Sequence, residues 1–205
     1  MSQAVYVNFY NGSDDSTCGS KTQPCKHIET AVEMLTGEIV IIGAIPLNRT
    51  INVTRSLTIR SERSSDNASV KGERMTNLPA FSLQHDSELV MNITGINFTD
   101  VGVVSIGSHS NVSIYNCYVT GDVGGEKGEV FLFRSERLQG SSLTVVNTTF
   151  TGINGSVIND EGQYAHERRV VVTFTDSIFH NIKYFKKLQL HTKVNTSTMS
   201  FHRCW

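Results

Sequence analysis

No apolar run in this chain reaches the ~18 residues that a membrane-spanning helix needs. The longest, Ile39 to Leu47, is of strand length and contains Gly43 and Pro46. An excess of either charge is also missing. Lys plus Arg number 18 and Asp plus Glu 19, for a net charge of −1. A nucleic-acid or anionic-membrane surface would carry a basic excess, so this balance argues against both partners. No linker, low-complexity run or composition break divides the 205 residues, which are therefore expected to form one domain. Familiar catalytic signatures are absent: there is no His-Glu-x-x-His and no Gly-x-Ser-x-Gly. Met1-Ser2-Gln3-Ala4 lacks the charged and apolar regions of a signal peptide, and the chain stops inside a repeat. The expectation is a fragment of an ectodomain with a start Met added, whose parent has further domains; a leaderless protein is the alternative.

What the chain does have is one line that keeps returning. It reads Leu89-Val90-Met91-Asn92-Ile93-Thr94-Gly95-Ile96-Asn97-Phe98, then Val112-Ser113-Ile114-Tyr115-Asn116-Cys117-Tyr118-Val119. It returns as Leu143-Thr144-Val145-Val146-Asn147-Thr148-Thr149-Phe150 and as Val172-Thr173-Phe174-Thr175-Asp176-Ser177-Ile178-Phe179. A fifth copy begins at Met199-Ser200-Phe201. Aligning them puts Phe98, Val119, Phe150 and Phe179 in one column, at spacings of 21, 31 and 29 residues. Such periods indicate stacked repeats. Each unit has strand alternation and a turn residue, and cannot bury its apolar face unless neighbours stack on it. A unit of about 20 residues with two or three short strands is one coil of a parallel β-helix. The longer spacings then carry inserted loops. An antiparallel sandwich also has short, evenly spaced strands, but gives no reason for strand-Asn-x-x-Phe to recur in phase.

Within this scheme alternate residues face the core. Asn116 and Asn147 occupy a fixed turn, where Asn tolerates left-handed geometry and can form hydrogen-bonded ladders; Asp176 takes the same column. Cys117 and Cys204 share another column three coils apart. At ~4.8 Å per coil they are ~14 Å apart, too far to bond. Cys117 is expected to be a buried free thiol, and Cys204 to pair outside this chain. The truncated last coil leaves a strand edge that must be capped or continued.

The N-terminal part differs. Ala4 to Phe9 reads as an opening strand, followed by a turn-rich loop with Cys18 and Cys25 seven residues apart. In an oxidising compartment these two would most simply pair and staple the loop; two free thiols are the alternative. Zinc needs four ligands and only His27 is near, so a metal site is not expected. Lys26 to Leu35 is the one convincing helix. Ile28, Ala31, Val32 and Leu35 recur at i, i+3, i+4 and i+7, with Pro24 before the first turn and Gly37 past the end. Residues 4–37 thus form an opening strand, Cys loop and cap helix, and 38–205 the coils.

The Gly12-Ser13-Asp14…Cys18-Gly19…Pro24-Cys25 loop, the helix, the apolar strand and the repeat together resemble the pectin-lyase-like right-handed β-helix superfamily. More narrowly, the chain is similar to non-enzymatic, Cys-containing extracellular β-helix domains of eukaryotic surface proteins; outer-membrane adhesin repeats are a looser likeness. The resemblance spans residues 4 to 204. It implies an all-β, right-handed parallel β-helix with a short N-terminal capping helix. It is specific for fold and poor for function.

Ten of the fifteen asparagines lie in Asn-x-Ser/Thr sequons: Asn11, Asn48, Asn52, Asn67, Asn92, Asn97, Asn111, Asn147, Asn154 and Asn195. Ser and Thr make up about a fifth of the chain, so chance predicts about three. The excess points to a secreted or cell-surface glycoprotein. β-Helices are rich in Asn, Ser and Thr in any case, which accounts for part of it. Sequons on strands are expected to include inward-pointing asparagines with no room for a glycan.

The superfamily contains lyases and hydrolases of acidic polysaccharides, which need clustered carboxylates. The acids Asp14-Asp15, Asp86, Glu88, Asp122, Glu126 and Asp160-Glu161 sit in or beside turns without a recognisable catalytic pair. His27, His85, His109, His166, His180, His191 and His202 are scattered, though His180 and His202 could project from nearby coils. Glu167-Arg168-Arg169 and Lys183 to Lys187 form a mildly basic part, either a solvated face or a contact for an anionic glycan or acidic partner. Gly124-Gly125 and Gly140 mark loops, since no helix follows them to cradle a phosphate.

Three functions remain. The first is a non-catalytic recognition or adhesion ectodomain, binding a protein or glycan through the loops 120–129 and 159–169 and needing no cofactor. The second is a carbohydrate-active enzyme, a polysaccharide lyase or glycoside hydrolase, of the same fold. The third is a structural spacer with glycans on every side.

Overall fold

The computed structural model describes residues 4–34, 37–62, 68–73, 79–83, 88–122, 128–133, 140–160, 170–188 and 198–205. Every strand pairing among these residues is parallel, in three sheets wound into a parallel β-helix. Sheet A holds β1 (Val5–Val7), β2 (Glu38–Ile41), β5 (Leu57–Ser61), β8 (Val90–Thr94), β11 (Asn111–Tyr115), β14 (Ser141–Val146), β17 (Val170–Thr175) and β20 (Thr198–His202). Sheet B holds β3 (Ala44–Leu47), β6 (Ala68–Gly72), β9 (Ile96–Thr99), β12 (Tyr118–Thr120), β15 (Thr149–Thr151) and β18 (Ile178–His180). Sheet C holds β4 (Ile51–Val53), β7 (Pro79–Leu83), β10 (Gly102–Ile106), β13 (Glu129–Phe133), β16 (Ser156–Asp160) and β19 (Tyr184–Leu188). From β2 to β19 each coil supplies one strand to A, then B, then C, while β1 and β20 add a strand to sheet A at either end. The all-parallel pairing rules out the antiparallel sandwich.

The expected column is the observed register. Phe98, Val119, Phe150 and Phe179 are paired in sequence across sheet B. Ile45 and Val70 extend the column toward the N-terminus. A second inner column in sheet A runs Ile59, Ile93, Ile114, Val145, Phe174 and Phe201. In the later coils both columns turn aromatic and interlock. Phe150 stacks on Phe179 at 5.0 Å, and Phe174 on Phe201 at 5.4 Å. Phe131 and Phe174 meet Phe150 edge-on at 6.0 and 6.1 Å. Each such ring pair adds ~0.5–1.5 kcal/mol beyond the area it buries.

The sharp corner between sheets A and B needs one left-handed residue per coil. Gly95, Asn116, Asn147, Asp176 and Arg203 supply it, with φ of 68°, 53°, 48°, 52° and 48°. The amide N–H of each of the first four donates to a carbonyl of the next coil. Inside the corner runs a polar column of Cys117, Thr148, Ser177 and Cys204. Each side chain faces the carbonyl two residues before it, at 3.1 to 3.4 Å. Cys117 is buried and free, and Cys204 is partly exposed and free.

Strand alternation holds in sheets A and B apart from β2, where Val40 is buried, and in β4 of sheet C; it fails in β7, β10, β13 and β16. Phe131 packs against Phe150 of sheet B and so points inward. Its strand neighbours Val130 and Leu132 therefore point outward, yet they are 0% and 1% exposed. The outward residues Ala80, Ser82, Val103, Ser105, Val157 and Asn159 are buried as well. A parallel sheet covered on both faces carries near-continuous apolar runs. That is why Val130-Phe131-Leu132-Phe133 shows no alternation.

Two strands escape the sequence reading. Gly43, at φ 73°, turns the corner after β2, and the chain re-forms as β3 with Pro46 in it. Since β3 is the outer edge of sheet B, the missing N–H costs no ladder bond. β19 lies in the basic Lys183–Lys187 stretch. The cap helix α1 (Ile28–Glu33) is shorter than expected, because Met34 already leaves helical geometry. Ile28, Ala31 and Val32 are buried as its periodicity requires; Leu35 lies outside the described residues. The helix packs on β1, β2 and β4, covering the first coil.

Candidate functional site

The N-terminal loop is held by a dense set of bonds. Cys18 and Cys25 form a disulfide, with both sulfurs buried. The sulfur of Met34 rests against it, 3.5 and 3.9 Å from the two cysteine sulfurs, which ties loop to cap helix. Asp14 accepts the backbone N–H groups of Lys26 and His27 at 3.0 and 3.1 Å and pairs with the His27 ring. Burial pushes the Asp14 pKa up, but hydrogen bonds from His27 and Thr30 outweigh it and hold the carboxyl below the ordinary range. Asp15 is held at about 2 by hydrogen bonds from Ser13 and Thr17. Both acids lock the loop, with their oxygens turned to protein donors.

The described sequons share one property that strand position alone did not suggest. None of their asparagines points inward. Asn11, Asn48, Asn52, Asn111, Asn147 and Asn154 are exposed, and Asn92 and Asn97 are half-buried on the outer faces of sheets A and B. This corrects the expectation of inward-pointing asparagines. On a strand, Asn-x-Thr places both polar residues on one face, and the inward parity is taken by apolar residues such as Met91 and Ile93. The sites surround the coil: sheet A carries Asn92 and Asn111, its corner Asn147, sheet B Asn97, and the turns and edge leading to sheet C Asn48, Asn154 and Asn52. Asn52 also lines a groove of about 290 Å³ between the cap helix and β4, where Arg49 pairs with Glu29 at 3.1 Å. Asn67 and Asn195 lie outside the described residues.

Asp100 and Asp122 meet at neighbouring coil corners through a bond from backbone to side chain. Asp100, with φ 55°, turns the corner from sheet B toward sheet C; Gly121 turns the same corner one coil on, at φ 99°. The Asp100 carboxylate accepts the Asp122 N–H at 3.0 Å. A Cβ on Gly121 would displace that carboxylate, and its φ of 99° would strain any other residue. The 21-residue offset that pairs Phe98 with Val119 also sets residue 100 beside residue 121, and the corner geometry adds the bond to residue 122.

The other candidates separate. His180 is exposed on sheet B and His202 on sheet A, so they do not converge. His27 serves the loop, and His109 sits at a corner with φ 56°. Asp176 forms a two-pronged ion pair with Arg203, at 2.5 and 2.7 Å, within the corner column. The Lys183 ammonium lies 5.4 Å from the Tyr184 ring centre. Among the described residues no group of three His, Cys, Asp or Glu is placed to hold a metal ion, and no helix is long and apolar enough to cross a membrane. Asp86, Glu126-Lys127, Glu161, Glu167-Arg168-Arg169, Gly124-Gly125, His85, His166 and His191 lie outside the described residues. So does most of both loops expected to bind a partner, at 123–127 and 161–169. No protein-family model matches this sequence, and no curated protein matches it.

Proposed function

We propose that this chain is a non-catalytic recognition module of a secreted or cell-surface glycoprotein, built on a pectin-lyase-like β-helix. It contacts a protein or glycan partner through loops carried by the longer coils. The carrying observation is the outward placement of all eight described sequon asparagines, on a scaffold closed by a disulfide. An oxidising, glycosylating compartment accounts for both. The acids of the N-terminal loop and of the A–B corner are occupied with structural bonds, which supports a non-catalytic role for them.

The first test is intact mass of the chain secreted from a eukaryotic cell behind an added signal peptide, with and without glycosidase and without reductant. Several glycans and a mass lower by one disulfide are expected. An unglycosylated, fully reduced chain, secreted efficiently, overturns the reading. A polysaccharide lyase or hydrolase of the same fold is the second reading; it needs carboxylates on adjacent coils, and the residues it would use are Asp100 and Asp122, which sit at neighbouring corners where the Asp100 carboxylate takes the Asp122 backbone N–H. It predicts cleavage of an acidic polysaccharide that is lost in Asp122→Asn.

A further inference from the structure

The sequon at Asn11 differs from the others in its setting. It lies in a turn pinned on both sides to one buried strand-like segment. Asn8 N–H donates to Cys25 O at 2.8 Å, and Cys25 N–H to Tyr6 O at 2.8 Å. Ser13 N–H donates to Pro24 O at 3.1 Å, and Lys26 N–H to Ser13 O at 3.0 Å. The Asn8 side chain closes the turn from within, accepting the N–H groups of Tyr10 and Asn11 at 3.1 and 3.2 Å. Gly12 lies so close to Cys25 O and Asn8 O that any Cβ would collide with them. The turn is thus rigid, and Asn11 is exposed on it.

The two residues that precede Asn11 in the chain are aromatic, and their rings meet. Phe9 is half-buried and anchored edge-on to His27 at 5.6 Å, with the Lys26 ammonium 5.2 Å from its centre. Tyr10 meets Phe9 edge-on at 5.6 Å and is itself 76% exposed, the most exposed large apolar side chain among the described residues. The Tyr10 ring leaves its apolar face open to solvent beside the half-buried Phe9 ring. The apolar C–H face of a sugar is a natural cover for it.

We infer that Asn11 carries an N-linked glycan whose first N-acetylglucosamine packs on the Phe9–Tyr10 ring pair, so that sugar and disulfide loop stabilise one another. This rests on the extracellular reading. The Asn11 side-chain nitrogen attacks C1 of a lipid-pyrophosphate-linked oligosaccharide. The N–C1 bond forms, the C1–O bond to the pyrophosphate breaks, and one amide proton is lost. The remaining N–H and the Oδ1 stay free for hydrogen bonding.

The test is a thermal double-mutant cycle on the secreted chain, with Asn11→Gln removing the glycan and Tyr10→Ala removing the ring, and with glycopeptide mapping of every sequon. Each single variant is expected to lower Tm by about 2–4 °C, and the double variant by no more than the larger single effect. Tyr10→Phe keeps the ring and is expected to keep the wild-type Tm. Trimming the glycan to its first sugar is expected to keep it as well. Additive losses, or a bare Asn11 on a chain glycosylated elsewhere, overturn this inference alone. A chain with no glycan at any sequon overturns it together with the extracellular reading.

Discussion

The side-chain amide of Asn147 donates to the side-chain Oδ1 of Asn116 one coil away, at 2.8 Å, and both residues have left-handed backbones. Each therefore does two jobs, turning the corner and bonding the coils together. Asn116→Ala loses both and is expected to cost ~1–3 kcal/mol, from a left-handed non-Gly residue and a lost hydrogen bond. Asn116→Gly keeps the turn and should cost about half as much. Urea midpoints of the two variants separate the contributions; equal losses would mean that the backbone preference is negligible. Residue 116 lies outside any sequon but its partner Asn147 lies in one, so the two variants are compared in unglycosylated chain.

Phe150 touches Phe131, Phe174 and Phe179 and is fully buried. Phe150→Ala is expected to lower stability by ~3–5 kcal/mol, and Phe150→Leu by less because the volume is better kept. Denaturant unfolding of both variants checks this. Similar small losses for the two would show that the aromatic block is loosely packed.

Replacing Cys18 and Cys25 by serine opens a seven-residue separation. Loop-closure entropy for so short a loop is worth about 2–3 kcal/mol. The effect should concentrate at the N-terminal end, since Met34 leans on the bridge. Hydrogen exchange of α1 is expected to quicken while that of β11 and β14 stays slow.

The two free thiols should behave differently. Burial pushes the Cys117 thiol up to about 11, keeping it protonated and shielded at neutral pH. Cys204 is partly exposed on the last described coil. An aromatic disulfide reagent at pH 8 is expected to label one thiol in the folded chain and two after unfolding. Rapid labelling of Cys117→Ser at the level of the unmodified chain, and none of Cys204→Ser, confirms the assignment; the reverse pattern would refute it.

Acid should destabilise the fold through a specific set of carboxylates. Asp14, Asp15 and Asp176 all have folded pKa values below the ordinary aspartate range, Asp15 at about 2. Their contribution is therefore complete above ~4, the unfolded value, and is lost as pH falls through the folded values. Urea midpoints are expected to be level from pH 7 to about 5 and to fall between about 4 and 2. In Asp15→Asn the fall should be shallower; an unchanged slope would remove Asp15 from the account.

Much of this molecule was legible in its sequence because a β-helix repeats a local rule. Alternation along each strand places Ile93, Ile114 and Val145 inward, and one turn residue per coil forces Asn116, Asn147 and Asp176 into a column. The phase of that pattern determined the sheet B register from Phe98 to Phe179. The spacing of Cys18 and Cys25 and the 28–32 periodicity likewise marked a stapled loop and a helix. Tertiary structure alone decided the rest. Burial of the outer face of sheet C in β7, β10, β13 and β16, the placement of His180 and His202 on different sheets and the pinning of the Asn11 turn to Cys25 all depend on residues apart in the chain. Their geometry depends on how coils of unequal length stack, and no local period encodes that.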